Sequence, residues 1–316
     1  MKNTEELTLT EEIVEEKSEP CCGPECCQKD TQGSGSEKKS EKKSEKSSED
    51  LKQIVKEQYS KIALQSKEVN SSSCCGANPP QADCDSDVYS IMTDEYKGME
   101  GYNPDADLGL GCGLPTQFAK IKEGYVVLDL GSGAGNDCFI ARAQTGEKGR
   151  VIGIDMTPAM IEKAQKNTKK LGYNNIDFYL GDIEDMPIAD NTADVVVSNC
   201  VLNLVPDKVK AFSEIYRVTK PGGHFSISDI VLTGELPERI KQAAEMYAGC
   251  VSGAVLKDKY VDIIERSGFK NIAIQKEKLI TVPDSILNDY LTGEEITEYR
   301  RSGYGIYSIT VYGEKA

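Results

Sequence analysis

The segment VVLDLGSGAGNDCF, residues 126–139, constrains the fold of this chain more than any other. An apolar run passes through Asp129, glycines follow at 131, 133 and 135, and helix-forming residues resume at once. A short continuous apolar run bounded by turn residues reads as a strand buried on both faces. Glycine lets the backbone turn sharply and come close to a ligand. The spacing G-x-G-x-G is one residue shorter than the dinucleotide fingerprint, but the strand–loop–helix context is the same. Asp155 stands 24 residues after Gly131 at the end of the next apolar run, where a carboxylate can accept hydrogen bonds from ribose hydroxyls.

The rest of the chain from residue 124 repeats that alternation. GYVVLDL, RVIGID, IDFYL, DVVVSN and GHFSISDIVL read as strands, with helical material between them. NDCFIARAQTG reads as a helix, and TPAMIEKAQKNTKKLG as another, with Thr157 as N-cap, Pro158 at its first position and Gly172 past its end. The fold class is therefore α/β, a doubly wound, mostly parallel sheet. Two late apolar runs, NIAIQKEKLITV and GIYSITVYG, are expected to pair antiparallel at a sheet edge. Asp182, in LGDIEDMP, ends the third strand and is positioned to meet an adenine amino group.

The expected organisation has four parts. Residues 1–50 form a charged tail ending in SEKKSEKKSEKSSED, which lacks the apolar surface to offset the entropy of ordering. Residues 51–123 hold a helix over 51–68 and the cysteine-bearing loop SSSCCGANPPQADCD; residues 124–235 are the ligand-binding core; residues 236–316 complete a substrate region and the edge hairpin. The N-terminus has acidic residues where an export signal needs basic ones, and no apolar stretch approaches a membrane span, so a reducing cytoplasm is the expected setting.

Composition narrows the chemistry. With 52 acidic against 37 basic residues the formal charge is −15, a poor match for a nucleic-acid partner. His224 is the only histidine, which disfavours a Ser/His/Asp triad or a multi-histidine metal site. The eleven cysteines are an odd number, so complete disulfide pairing is impossible. Cys21, Cys22, Cys26 and Cys27 crowd into CCGPECC in the tail, vicinal thiols suited to soft ions, and Cys74, Cys75 and Cys84 lie in the loop. Cys200 follows the fourth strand at the sheet edge where ligands bind, and Cys112 and Cys250 flank the same edge from either side of the core. Cys138, on the helix after the glycine loop, reads as structural, Arg142 as a solvated helix face, and Tyr247 as packing. His224 reads as a surface or supporting residue, and Asp229 as a residue shaping the pocket rather than a base.

The ordered set DLGSGAG, IGIDMTPAMIEKA, GDIE, SNCVLNL and KPGGHF resembles a class I S-adenosylmethionine-dependent methyltransferase. Together with LGLGCGLP and GCVSGA, the chain from about residue 51 to 316 resembles the arsenite methyltransferase family. That resemblance implies a seven-stranded sheet whose antiparallel edge is the late hairpin. It implies a cosubstrate site for S-adenosylmethionine at Asp129, Gly131, Ser132, Gly133, Gly135, Asp155, Met156, Asp182 and Ile183. It implies ligation of trivalent arsenic by Cys112, Cys200 and Cys250. It further implies a relay thiol from the loop, with Cys84 best matching the family spacing beside Cys74 and Cys75, and a thiol reductant such as glutathione or thioredoxin. The residues alone leave two other readings open, a small-metabolite C- or O-methyltransferase of the same fold and a thiol-rich metalloid-sequestering protein.

Overall fold

The computed structural model describes residues 48–65, 96–241, 249–251 and 253–316. Cys21, Cys22, Cys26, Cys27, Cys74, Cys75, Cys84 and Tyr247 lie outside the described residues. The described residues belong to a single compact unit.

Helix α1, Ser48–Leu64, opens that unit and begins before residue 50, so the expected tail boundary falls inside a helix. Its inward side is Val55, Tyr59, Ile62 and Ala63, whereas Leu51 and Ile54 stay exposed despite fitting the helical rhythm. After the short α2 (Pro115–Phe118), strands and helices alternate. They run β1 (Val126–Leu130), α3 (Asn136–Thr145), β2 (Arg150–Asp155), α4 (Pro158–Leu171), β3 (Ile176–Leu180), β4 (Ala193–Asn199), α5 (Lys208–Val218) and β5 (Thr219–Thr233). The C-terminal part comprises β6 (Val255–Leu256), α6 (Lys257–Arg266), β7 (Lys270–Ile280), α7 (Asp284–Leu287), α8 (Gly293–Ser302) and β8 (Gly305–Glu314).

The main sheet runs β3-β2-β1-β4-β5-β8-β7, with β6 added beside β5 as an eighth, two-residue strand. Strands β1 to β5 are mutually parallel, as expected for crossovers through helices. Strand β8 is antiparallel to both β5 and β7. It is therefore inserted between them, and the edge strand β7 runs parallel to β5 again.

Alternation along the strands explains the continuous apolar runs. Leu128, Leu130, Ile152, Ile154, Val196 and Ile227 pack on one face with Phe212 of α5 and Tyr260 of α6. Val127, Val151, Val195 and Val197 pack on the other with Phe139 of α3 and Met160 of α4. Both faces are dry, so no polar alternation survives in the sequence. Gly172 ends α4 in the left-handed conformation and Pro158 begins it. Thr157 occupies the N-cap position, yet its hydroxyl makes no capping bond. Its backbone N–H instead donates to Asp155 Oδ1 at 2.8 Å, so the carboxylate of the preceding strand takes that amide.

Packing corrects the surface expectation for Arg142 and decides between the two readings of His224. Arg142 is not on a solvated face, because its guanidinium stacks over the Tyr173 ring at 4.5 Å and donates to Asn175. His224 is buried rather than superficial, with Nε2 2.6 Å from the Ala119 carbonyl oxygen and its ring against Tyr312.

Candidate active site

An open cavity lies at the carboxyl ends of β1, β2 and β4. Parallel α/β sheets bind ligands at this edge because the strand order reverses there and the flanking connections diverge. Here β1 sits between β2 and β4, which place the crevice above the glycine loop.

The loop itself is shaped by steric necessity. Gly131 has φ 66°, and a Cβ there would stand 2.4 Å from the Val201 side chain. Gly133 has φ 51° with nothing within 4 Å of a hypothetical Cβ, so its backbone faces open space on the cavity wall. Gly135 differs: it does not line the cavity, and a Cβ would meet the Phe139 ring at 2.8 Å, so its task is helix entry and packing. Ser132, Met156 and Ile183 line the cavity, and Ser132 Oγ is buried without a hydrogen-bond partner. An orphaned buried hydroxyl is costly unless a ligand satisfies it.

Five aspartates line this cavity, and the three that the sequence singled out are in different states. Asp155 accepts from Gly133 N at 3.0 Å and Thr157 N at 2.8 Å, tying the glycine loop to the end of β2. Burial raises its pKa, and those two amides oppose the rise. Asp129 is buried and accepts from the Cys138 thiol at 3.2 Å, and burial pushes its pKa well up. Cys138 thus has the structural place expected of it. Asp182 is already paired, because Lys52 of α1 reaches it at 2.6 Å and Glu184 at 2.5 Å. Lys52, Val55 and Tyr59 line the cavity from α1, 130 residues away in the case of the Lys52–Asp182 contact. No local pattern in the sequence marks them, since only tertiary docking brings α1 to this edge.

Of the three candidate thiols, Cys200 alone lines the cavity. It follows β4 with φ 61°, a left-handed conformation that costs a non-glycine residue roughly 1 kcal/mol. Its N–H is held by the Ser228 carbonyl at 2.7 Å. Backbone strain maintained by surrounding structure is characteristic of working positions. The Cys200 thiol hydrogen-bonds to those of Cys112 and Cys250, and these contacts, more than burial, drive its pKa well up. Cys112 is buried, and desolvation raises its pKa while the Cys200 thiol pulls it down. Cys250 sits half-buried in a 3₁₀ turn, Gly249–Val251. Sequence-remote thiols thus meet at one sheet edge. Among the described residues, no three His, Cys, Asp or Glu side chains stand as a ready ion cage. Cys112 and Cys200 belong to an apolar cluster with Ile230, Leu232, Ile280, Val282, Leu291 and Ile306, and Cys250 packs against it.

Asp229, at the centre of β5, is fully buried, and burial lifts its pKa to about 7. Its carboxylate accepts from Ile230 N at 3.0 Å and Tyr260 Oη at 3.1 Å. The folded state therefore holds this proton more tightly than the unfolded state, whose pKa is near 3.8. Stability falls as pH rises through that interval and levels off above about 7. Asp229→Asn is expected to be more stable than the parent near pH 8 than near pH 5, by a difference on the order of 2 kcal/mol in urea unfolding. Parallel pH profiles for the two proteins would contradict the buried-carboxyl assignment.

A methyltransferase domain family model matches residues 121–268. An arsenite methyltransferase of Halobacterium salinarum is 39% identical over 78% of this chain, which spans 64% of that protein's length. An arsenite methyltransferase of Aquipseudomonas alcaligenes is 31% identical over 75% of this chain and 67% of its own length. The crystal structure of an arsenic(III) S-adenosylmethionine methyltransferase from Chlamydomonas reinhardtii aligns with TM-score 0.56 and 33% identity, covering 72% of this chain and 73% of that one. Identity above 30%, extending over two thirds or more of two of these proteins and accompanied by the same fold, places the chain in the arsenite methyltransferase family.

Proposed function

We propose that this chain transfers methyl groups from S-adenosylmethionine to trivalent arsenic held by Cys112, Cys200 and Cys250. The observation that carries the reading is Cys200 itself. It is strained into the left-handed region, opens onto the cavity and hydrogen-bonds to two free thiols remote in sequence.

The cavity suits the cosubstrate. The unsatisfied Ser132 hydroxyl, the open space over Gly133 and the Asp155 carboxylate supply a donor, room and an acceptor for a nucleoside and its amino-acid arm. Asp129, Met156 and Ile183 complete the wall. When bound, S-adenosylmethionine supplies an electrophilic methyl group on a sulfonium. The protein's own residues then need only bind, orient and exclude water.

Trivalent arsenic is soft and prefers thiolates. Exchange from a glutathione complex moves each cysteine proton to a departing glutathione thiolate, so no protein base is required. Thiolate ligation orients the arsenic lone pair toward the cavity, converting a bimolecular encounter into an aligned one. The lone pair becomes the new As–C bond, and the electrons of the broken S–C bond return to sulfur. Arsenic is formally oxidised to the pentavalent state. Two thiols closing to a disulfide return the two electrons, and Cys84, alongside Cys74 and Cys75, is the proposed source of the relay thiol. Glutathione or thioredoxin reopens that disulfide, which suits a reducing cytoplasm. Among the described residues no helix is long and apolar enough to cross a membrane.

The test is incubation of the protein with S-adenosylmethionine, glutathione and arsenite, followed by chromatographic separation of arsenic species. Methylated arsenic with matching S-adenosylhomocysteine is expected. Absence of methylated arsenic overturns the reading. Arsenite binding without turnover would favour sequestration, and methylation of a carbon or oxygen acceptor instead would favour a small-metabolite enzyme.

A further inference from the structure

Asn199 ends β4 immediately before Cys200 and makes more side-chain contacts than its place in a loop-facing strand end requires. Its Oδ1 accepts from Cys112 N at 3.0 Å and Gly113 N at 3.3 Å. Its Nδ2 donates to the Gly113 carbonyl at 2.8 Å, to Tyr96 Oη at 2.5 Å and to Asp137 Oδ2 at 3.3 Å. The amide orientation is thereby determined, since a flip would set NH₂ against two N–H donors and oxygen against a carbonyl and a carboxylate. Tyr96 Oη in turn donates to Asp137 Oδ2 at 2.7 Å, which locks the acceptor side.

The same contacts explain the glycines around Cys112. A Cβ on Gly111 would stand 2.6 Å from Asn199 Nδ2, and one on Gly113 would stand 2.6 Å from Ser228 Oγ. Neither glycine has unusual space demands of its own; the close approach of the loop to Asn199 and β5 requires them. On the far side, Ser308 Oγ of β8 donates to the Cys112 carbonyl at 2.6 Å. The peptide groups on both sides of Cys112 are therefore held, one by β4 and one by β8.

We propose that Asn199 is a positioning residue that clamps the loop bearing Cys112 to the end of β4, so that Cys112 and Cys200 present their sulfurs as one preset pair. The clamp rests on the proposed function for its substrate, trivalent arsenic, and on this geometry for its existence. Two thiols held at fixed separation bind one arsenic atom with the advantage of effective concentration. Two thiols on independently moving segments do not.

The test uses Asn199→Ala, Gly111→Ala and the double variant in the full chain, with three readouts. Alkylation of Cys112 by iodoacetamide, followed by peptide mass spectrometry, is expected to quicken about tenfold or more in each single variant, because the loop opens more often. The KM for arsenite is expected to rise about tenfold, whereas the Kd for S-adenosylhomocysteine changes less than about threefold. Alanine at 199 removes the clash that alanine at 111 creates, so the double variant should be no worse than the worse single. Unchanged Cys112 alkylation overturns the clamp, as does a loss of S-adenosylhomocysteine affinity equal to the arsenite loss, or multiplication of the two effects. Should Asn199→Ala not fold, Gly111→Ala alone carries the alkylation and KM readouts. If the parent protein yields no methylated arsenic yet Cys112 alkylation still quickens, the substrate reading falls and the clamp stands.

Discussion

Cys200→Ser is expected to lower arsenite methylation by about a thousandfold or more, while S-adenosylhomocysteine binds within a few-fold of the parent. Serine is nearly isosteric, keeps a hydrogen-bonding group and faces the same φ of 61° at this position, so the backbone has no new reason to rearrange. What disappears is the soft ligand. A serine hydroxyl does not ionise near neutrality and its oxygen is a hard donor, so arsenic would lose the thiol that both lines the cavity and contacts the other two. Arsenic-species chromatography and calorimetry with S-adenosylhomocysteine separate the two effects. Turnover near the parent rate would sink the thiolate mechanism even if the enzyme class survived. A parallel loss of S-adenosylhomocysteine affinity would instead show that the substitution had damaged the cavity.

Asp155→Ala is the second large effect, and it should fall on the other substrate. The carboxylate fixes Gly133 N and Thr157 N, and it also faces the cavity. Removing it frees the glycine loop and deletes the acceptor for ribose hydroxyls. Hydrogen bonds to charged groups contribute about 1.5–3 kcal/mol each, so an increase on the order of a hundredfold in the KM for S-adenosylmethionine is expected. Arsenite binding measured without the donor should be unchanged. Asp182→Ala should be milder, because that carboxylate is 40% exposed and engaged by Lys52. Equal effects at the two positions would contradict the distinction between them.

The contrast between these aspartates shows what sequence pattern reached. Both stand at strand ends after apolar runs, and period and position identified them alike. Their different partners are invisible locally: Asp155 meets amides two and 22 residues away, whereas Asp182 meets a lysine 130 residues away. The same holds for the sheet. The late apolar runs announced an antiparallel pair, and β7 and β8 form it. That β8 inserts beside β5, leaving β7 at the edge, depends on which hydrogen-bonding partner each strand finds, and strand composition carries no such address.

Arg142 was misplaced, and His224 left between surface and support, for a related reason. Charge and polarity suggest solvent, but a guanidinium stacks on Tyr173 and an imidazole finds the Ala119 carbonyl, so both are packed without an isolated buried charge. Burial lowers the pKa of His224 and keeps its ring neutral near physiological pH.

By itself the sequence determined the alternating α/β architecture, the glycine loop, the strand-end aspartates and the thiols flanking one sheet edge. These features follow from periodicities and steric rules that act over a few residues. Tertiary structure alone decided that Cys200 occupies a left-handed backbone, that its thiol bridges Cys112 and Cys250, and that α1 walls the cavity through Lys52. It alone made Asn199 the residue that holds Cys112 in place. Such contacts arise when separately determined elements dock, and their geometry comes from close packing of the whole sheet rather than from any segment's own preference.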